Sequence, residues 1–241
     1  MSLGKIKALT FDTGGTVLDW HSGFRDAFAT AGDRHGIERD WPALANELRR
    51  RCMSAMLNLG RDEPPRYNFD GAHRFTLDAL LAEEGLDQFD DADRRAIAWD
   101  APHNFDCWPD VPAALERMRK SFPCVSFTLL SYRIIIDTSR RNGLNWDAVL
   151  SCEGFGVYKL LPEAYQKAAA FLQLEPEQCC MVACHPFDLN AAKAVGFKTA
   201  FVRRLQEWGK GNPAGRHSVE AGDHDLVVQD FAELADAIEG A

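Results

Sequence analysis

The 241-residue chain has no apolar run of about 18 residues, the length that a membrane-crossing helix requires. Its first residues, Met1 to Lys7, lack the apolar block of a secretion signal. Positive charge is also scarce: 27 Lys and Arg face 36 Asp and Glu, a formal net charge of -9 that disfavours attraction to nucleic acid or to an anionic membrane surface. The seven cysteines (52, 107, 124, 152, 179, 180 and 184) contain no C-x-x-C pair, and an odd number without an export signal argues for reduced thiols. Cys179, Cys180 and Cys184 read as small buried side chains of one apolar run rather than a zinc site, and no metal is assigned to them. Internal repeats and low-complexity tracts are missing too. What remains is a cytoplasmic globular protein, expected to have neither nucleic-acid nor membrane partners, whose 46% hydrophobic and 26% charged residues exclude disorder, collagen and coiled coil.

Lys5 to Phe11 reads as a short strand that ends at Asp12 and breaks into Thr13-Gly14-Gly15-Thr16. From Trp20 to His103 the pattern is helical, with helices predicted over Trp41 to Leu59 and Gly71 to Gly85 and a turn at Glu63-Pro64-Pro65. After Trp108-Pro109-Asp110, strands and helices alternate. The predicted strands are Val125 to Leu130, Ala148 to Ser151, Cys180 to Cys184 and Thr199 to Val202. The helices are Val111 to Lys120, Ile134 to Asn142, Pro162 to Leu172, Leu189 to Val195 and one from Asp230. This alternation predicts an α/β fold: a Rossmann-like parallel sheet with helices on both faces, formed by residues 1–19 and 104–241, with residues 20–103 inserted as a helical cap. The polar, Gly-rich stretch Gly209 to Gly222 reads as a mobile surface loop.

In such a sheet the loops at the carboxyl ends of the strands converge on one crevice. Asp12, Ser131 and the segment Cys184 to Asp188 fall there, and Lys159 lies in a loop before a helix. Singly, Asp12 is a turn residue, Ser131 a capping hydroxyl, Lys159 a solvated cation and Asp188 a helix cap. Together they offer a nucleophilic carboxylate, a hydroxyl, an ammonium and a second carboxylate at one sheet edge.

The order Phe11-Asp12-Thr13-Gly14-Gly15-Thr16-Val17, Leu130-Ser131, Tyr158-Lys159 with Pro162 and Tyr165, and Val182 to Asp188 resembles the four motifs of the haloacid dehalogenase superfamily. The resemblance is strongest to its L-2-haloacid dehalogenase branch. It extends over nearly the whole chain, including Trp108-Pro109-Asp110-Val111 and Lys198-Thr199-Ala200-Phe201-Val202. It implies that Asp12 attacks the substrate α-carbon, leaving an ester that water cleaves at the Asp carbonyl carbon. Thr16 would brace the Asp12 loop, Ser131 and the amides of Thr13 and Gly14 would hold the substrate carboxylate, Lys159 and Asp188 would manage the charge of Asp12, and Tyr165 matches a further position of the site.

Phosphatases of the superfamily carry Asp-x-Asp, the second carboxylate protonating the departing alcohol, and bind magnesium through carboxylates of the fourth motif. Here Gly14 takes the second position, and Cys184, four residues before Asp188, is a poor partner for a hard cation. Neither metal nor cofactor is expected. Against the dehalogenases themselves, Gly14 replaces an aromatic wall and implies a different or larger substrate. Tyr132 replaces an Asn that cradles the halide, and Ala183 and His185 replace Ser and Asn. His185 is a candidate proton carrier beside the hydrolytic water, with a hydrogen-bonded loop histidine as the bland alternative. Of Arg49, Arg50 and Arg51, Arg49 is chosen to face the substrate anion, with Arg51 second and a solvated helix face as the alternative. Trp20 is a candidate contact.

The expected activity is a metal-independent hydrolase acting at the sp3 α-carbon of a small 2-substituted carboxylate, in its simplest form a 2-haloacid. The alternatives are a C–N ring-opening hydrolase of the azetidine-2-carboxylate kind, a noncatalytic binding protein and, last, a phosphatase. A homodimer is among the expected assemblies, since relatives of this branch are commonly dimers.

Overall fold

The computed structural model describes residues 4–59 and 68–240; Met1, Leu3 and the Glu63-Pro64-Pro65 turn lie outside them. Six strands form one sheet: β1 Ala8–Phe11, β2 Cys124–Thr128, β3 Ala148–Ser151, β4 Cys179–Ala183, β5 Lys198–Val202 and β6 Leu226–Val228. They run parallel in the order β3-β2-β1-β4-β5-β6. Every residue of β1, β2 and β4 is buried. This explains their near-continuous apolar character, with Cys124, Cys179 and Cys180 serving as small apolar residues.

Between β1 and β2 lie helices α1 Trp20–His35, α2 Trp41–Leu59, α3 Phe69–Glu83 and α4 Asp91–Arg95, a π-helical stretch Ala96–Asp100 and the short α5 Ala101–His103. No strand occurs among the described residues from 20 to 103. The remaining helices surround the sheet: α6 Val111–Met118, α7 Tyr132–Asn142, α8 Cys152–Phe155, α9 Pro162–Phe171, α10 Pro186–Val195 and α11 Phe231–Glu239, with α6 against α11 and α9 against α10. No helix among the described residues is long and apolar enough to cross a membrane.

Sheet growth reverses between β1 and β4, because β2 and β3 are added on one side of β1 and β4 to β6 on the other. At such a switch point the loops leaving adjacent strands part and open a crevice. Phe11 is in register with Val182, and the Asp12 amide donates to the Val182 carbonyl at 2.9 Å, so Asp12 and the segment after Ala183 flank that crevice.

Several element ends differ from expectation for local reasons. Ser131 is the N-cap of α7, accepting from the Ile134 amide at 3.2 Å, so this helix starts at Tyr132. Helix α10 starts at Pro186, whose fixed φ suits the first turn, and Asp188 therefore lies inside the helix rather than ahead of it. Strand β6 and helix α8 escaped prediction because three or four residues carry no readable period.

His103, at the end of α5, bridges two other helices: its Nε2 lies 3.1 Å from Asp70 of α3 and its Nδ1 2.8 Å from Asp137 of α7. Burial opposes a charged ring here, but the two carboxylates raise the His103 pKa above its ordinary value. A raised histidine contributes its full stability below the unfolded-state pKa and loses it as pH climbs through the folded one. Urea unfolding should therefore show wild type losing its advantage over His103→Gln as pH rises from about 6 upward. An advantage that grows with pH would contradict the bridge.

Candidate active site

β1 delivers Asp12 to the crevice, and the loop behind it is fixed on several sides. The Thr13 hydroxyl donates to Thr128 Oγ1 at 2.5 Å, the Trp108 indole donates to the Gly15 carbonyl at 2.7 Å, and Gly15 adopts φ +96°, a left-handed conformation open to glycine. Thr16 Oγ1 donates to Asp12 Oδ2 at 2.8 Å and accepts from the Cys184 amide at 3.0 Å, fastening the β1 loop to the end of β4.

Lys159 enters from the loop between α8 and α9. Its Nζ lies 2.9 Å from Asp12 Oδ1 and 2.7 Å from Asp188 Oδ2, and the Tyr165 hydroxyl donates to Asp188 Oδ1 at 2.6 Å. The next residue, Leu160, has φ +75°, a strained conformation for a branched side chain, and its amide donates to the Tyr165 hydroxyl at 3.3 Å. Tertiary structure thus holds a disfavoured backbone in order to aim the lysine.

Burial alone would raise the Asp12 pKa, yet Lys159 and His185 hold it well below the usual carboxylate range, so Asp12 stays ionised. Burial likewise opposes a charged Lys159, but Asp12 and Asp188 keep its pKa raised. Asp188 is shifted upward, by burial and by the Asp12 charge, with Lys159 pulling the other way.

His185 closes the opposite side. Its Nδ1 lies 3.2 Å from Asp12 Oδ2 and its Nε2 2.9 Å from Glu207 Oε1. Burial penalises the charged ring, but the anionic surroundings hold its pKa well above the ordinary value. Cys184 is a neighbour too; because burial raises its own pKa, it is a neutral thiol, and the carboxylates Glu207 and Asp12 carry the effect.

From α2, Arg49 reaches the crevice buried, donating from Nη2 to the Gly14 carbonyl at 3.1 Å with its guanidinium over Trp20 and Phe69. Arg51 instead pairs with Glu47 and Glu83, and Arg50 with Glu47. A Cβ on Gly14 would stand 3.0 Å from Arg49 Nη2. The space beside Gly14 is thus taken by the arginine. Asp12, Gly14, Arg49, Lys159, His185 and Asp188 line a cavity with Met53, Leu57, Phe69, Leu129, Leu130 and Phe187 as its apolar wall. Its volume is about 20 Å³, room for about one water.

Not every expected contact lines this cavity. Ser131 donates to Asp70 Oδ2 at 2.6 Å, a partner that only the packing of α3 reveals. Tyr132, the first residue of α7, lies against Gly154 of α8, donates its amide to Glu153 at 3.0 Å and is partly exposed. Trp20 is fully buried and donates to Glu207 Oε1 at 3.0 Å, and Tyr165 stands behind Asp188. Glu207 was overlooked although it follows the carboxyl end of β5, where chemistry was sought after other strands.

Among the described residues, Cys184, His185 and Glu207 are the group whose donor atoms lie close enough to share a metal ion. The fit is poor: the thiol resists ionisation, and His185 Nε2 already bonds directly to Glu207. We assign no ion to them.

The family of haloacid dehalogenase-like hydrolases matches residues 6–196. The chain belongs to this family. As a haloacid dehalogenase-like hydrolase it is similar to (S)-2-haloacid dehalogenase 1 of Pseudomonas sp. (strain CBS-3), at 24% identity over 84% of this chain and 86% of the relative. It is 25% identical to (S)-2-haloacid dehalogenase 4A of Burkholderia cepacia over 86% and 85% of the two chains. A crystal structure of an L-2-haloacid dehalogenase superposes with TM-score 0.86 at 30% identity, covering 96% of this chain and 98% of the other. That of a defluorinating L-2-haloacid dehalogenase gives 0.89 at 29% identity, covering 97% and 95%.

In this hydrolase the Lys159 ammonium separates two buried carboxylates. Lys159→Met should lower stability at neutral pH by about 3–5 kcal/mol, because breaking a buried pair leaves unpaired charge. Lower pH lets the stranded carboxylates protonate, so urea denaturation at pH 5 should show a smaller loss than at pH 7. An equal loss at both values would contradict this charge assignment.

Proposed function

We propose that this chain is a metal-independent hydrolase that displaces halide from C2 of a small (S)-2-haloacid through an ester of Asp12. The observation that carries the reading is a carboxylate kept ionised by Lys159 and His185, and hydrogen-bonded by Thr16, at the wall of a small cavity that also holds the Arg49 guanidinium. The helical segment 20–103 would act as the cap that supplies Arg49. An Asp12 oxygen attacks C2 in line with the carbon–halogen bond, halide leaves with the bonding pair, and the configuration at C2 inverts. Water then adds to the Asp12 carbonyl carbon, restoring the carboxylate and releasing a 2-hydroxy acid and a proton. Splitting the displacement in two lowers each barrier. Arg49 would receive the substrate's anionic end, and the narrow apolar wall restricts the substituent on C2 to a short one. Phosphate chemistry is disfavoured by Gly14, which offers no carboxylate to protonate an alcohol leaving group.

A second reading keeps the ester and changes the leaving group. Ring opening of azetidine-2-carboxylate expels an amine that needs a proton, and the His185 imidazolium 3.2 Å from Asp12 is a donor suited to that step.

Incubation with (S)-2-chloropropionate should release chloride, and Asp12→Asn should lower the rate by about four orders of magnitude or more. Arg49→Met should raise KM about 10–100-fold, as loss of one charge-assisted contact implies. Ring opening of azetidine-2-carboxylate without chloride release would select the second reading. Magnesium-dependent phosphate release with no halide release would overturn both.

A further inference from the structure

We infer that Glu207 is a positioning residue for hydrolysis of the ester, fixing the tautomer and orientation of His185 so that its Nδ1 serves as general base at Asp12. This rests on the Asp12 ester proposed above and assigns a task to a carboxylate that lies 195 residues downstream of it. Glu207 Oε1 accepts from the Trp20 indole at 3.0 Å and faces His185 Nε2 at 2.9 Å, while His185 Nδ1 points to Asp12 Oδ2 at 3.2 Å. Phe187 stacks on the imidazole with ring centroids 5.2 Å apart, so the ring is held on its face as well as at both nitrogens. A Cβ on Gly15 would collide with the Glu207 carboxylate, so the nucleophile loop itself makes room for this residue.

The arrangement separates the two half-reactions. While Asp12 is an anion, His185 sits between two carboxylates and remains an imidazolium. Esterification removes the Asp12 charge, and the imidazolium releases one proton to solvent. Because Glu207 accepts a hydrogen bond from Nε2, the proton that stays is the Nε2 proton, and the Nδ1 lone pair is left facing the ester. Water attacks the Asp12 carbonyl carbon and gives its proton to Nδ1. The tetrahedral intermediate collapses, Nδ1 protonates the departing 2-oxygen of the product, and the new Asp12 carboxyl group then returns its own proton to His185. One proton leaves per turnover, as the overall hydrolysis of a carbon–halogen bond requires.

Rapid-quench intact-mass measurement with (S)-2-chloropropionate reads both steps. In Glu207→Gln, ester formation should stay within about 3-fold of wild type while ester loss slows by about 100-fold or more, the range for a general base, so that the adduct accumulates. The groups around the imidazole are Asp12 after β1, the adjacent Cys184, Glu207 after β5 and His217 beyond it. Removing the Glu207 charge should therefore move the pH midpoint of ester loss downward, a shift that a merely structural role would not cause. Trp20→Phe, which removes the indole donor to Glu207 and part of the ring beneath Arg49, leaves the Glu207 carboxylate in place; it should slow ester loss several-fold and is a second variant against misfolding of the first. Unchanged ester loss and an unchanged midpoint in both variants would overturn the role of Glu207. Absence of any adduct in wild type, in Glu207→Gln and in Trp20→Phe would overturn the ester reading beneath it.

Discussion

The structure turns on one buried ammonium. Lys159 lies between Asp12 and Asp188, with both contacts under 3 Å and all three side chains nearly free of solvent. Carboxylates packed this closely in a low-dielectric interior cannot both stay ionised without a cation between them. The demand reaches into the backbone. Leu160 accepts a left-handed φ beside the lysine, and the Tyr165 hydroxyl braces both that turn and Asp188. A carboxylate that stays ionised far below neutral pH is the outcome.

Around that core the charges balance. Three carboxylates, Asp12, Asp188 and Glu207, face three cationic side chains, Lys159, His185 and Arg49. Each cation comes from a different part of the chain: the α8–α9 loop, the end of β4 and helix α2. Gly14 and Gly15 are adjacent and act alike, each giving up a side chain so that a charged group approaches the Asp12 loop, Arg49 at the first and Glu207 at the second. The loop surrounds Asp12 with protein dipoles beside a small cavity lined by Arg49, Lys159 and His185.

The parallel sheet was legible because strand and helix periods alternate after Trp108, and Asp12, Lys159 and Asp188 could be singled out because they end up at one edge of that sheet. Helix geometry allowed only one or two of Arg49, Arg50 and Arg51 to face the crevice, and Trp41 to Leu59 matches α2 at both ends. Other features depend on contacts that sequence does not display. The Asp70 that engages Ser131 comes from a helix 61 residues away. Tyr132 turns toward α8, a four-residue helix without a readable period. At Gly14 a missing side chain can equally open space or admit a neighbour, and only the packing of α2 shows that Arg49 lies there. Glu207 did carry a signal, its place just beyond β5, but lay next to a Gly-rich stretch that reads as surface.

All of this chemistry reduces to whether the carbonyl carbon of Asp12 is the atom that water attacks. A single turnover in water enriched in oxygen-18, with enzyme in excess over (S)-2-chloropropionate, followed by mass analysis of the peptide containing Asp12, tests this directly. The account predicts one heavy oxygen in the Asp12 carboxylate and none in the 2-hydroxy acid released. Heavy oxygen in the product with none in Asp12 would mean that water attacks the substrate carbon itself, and would contradict it.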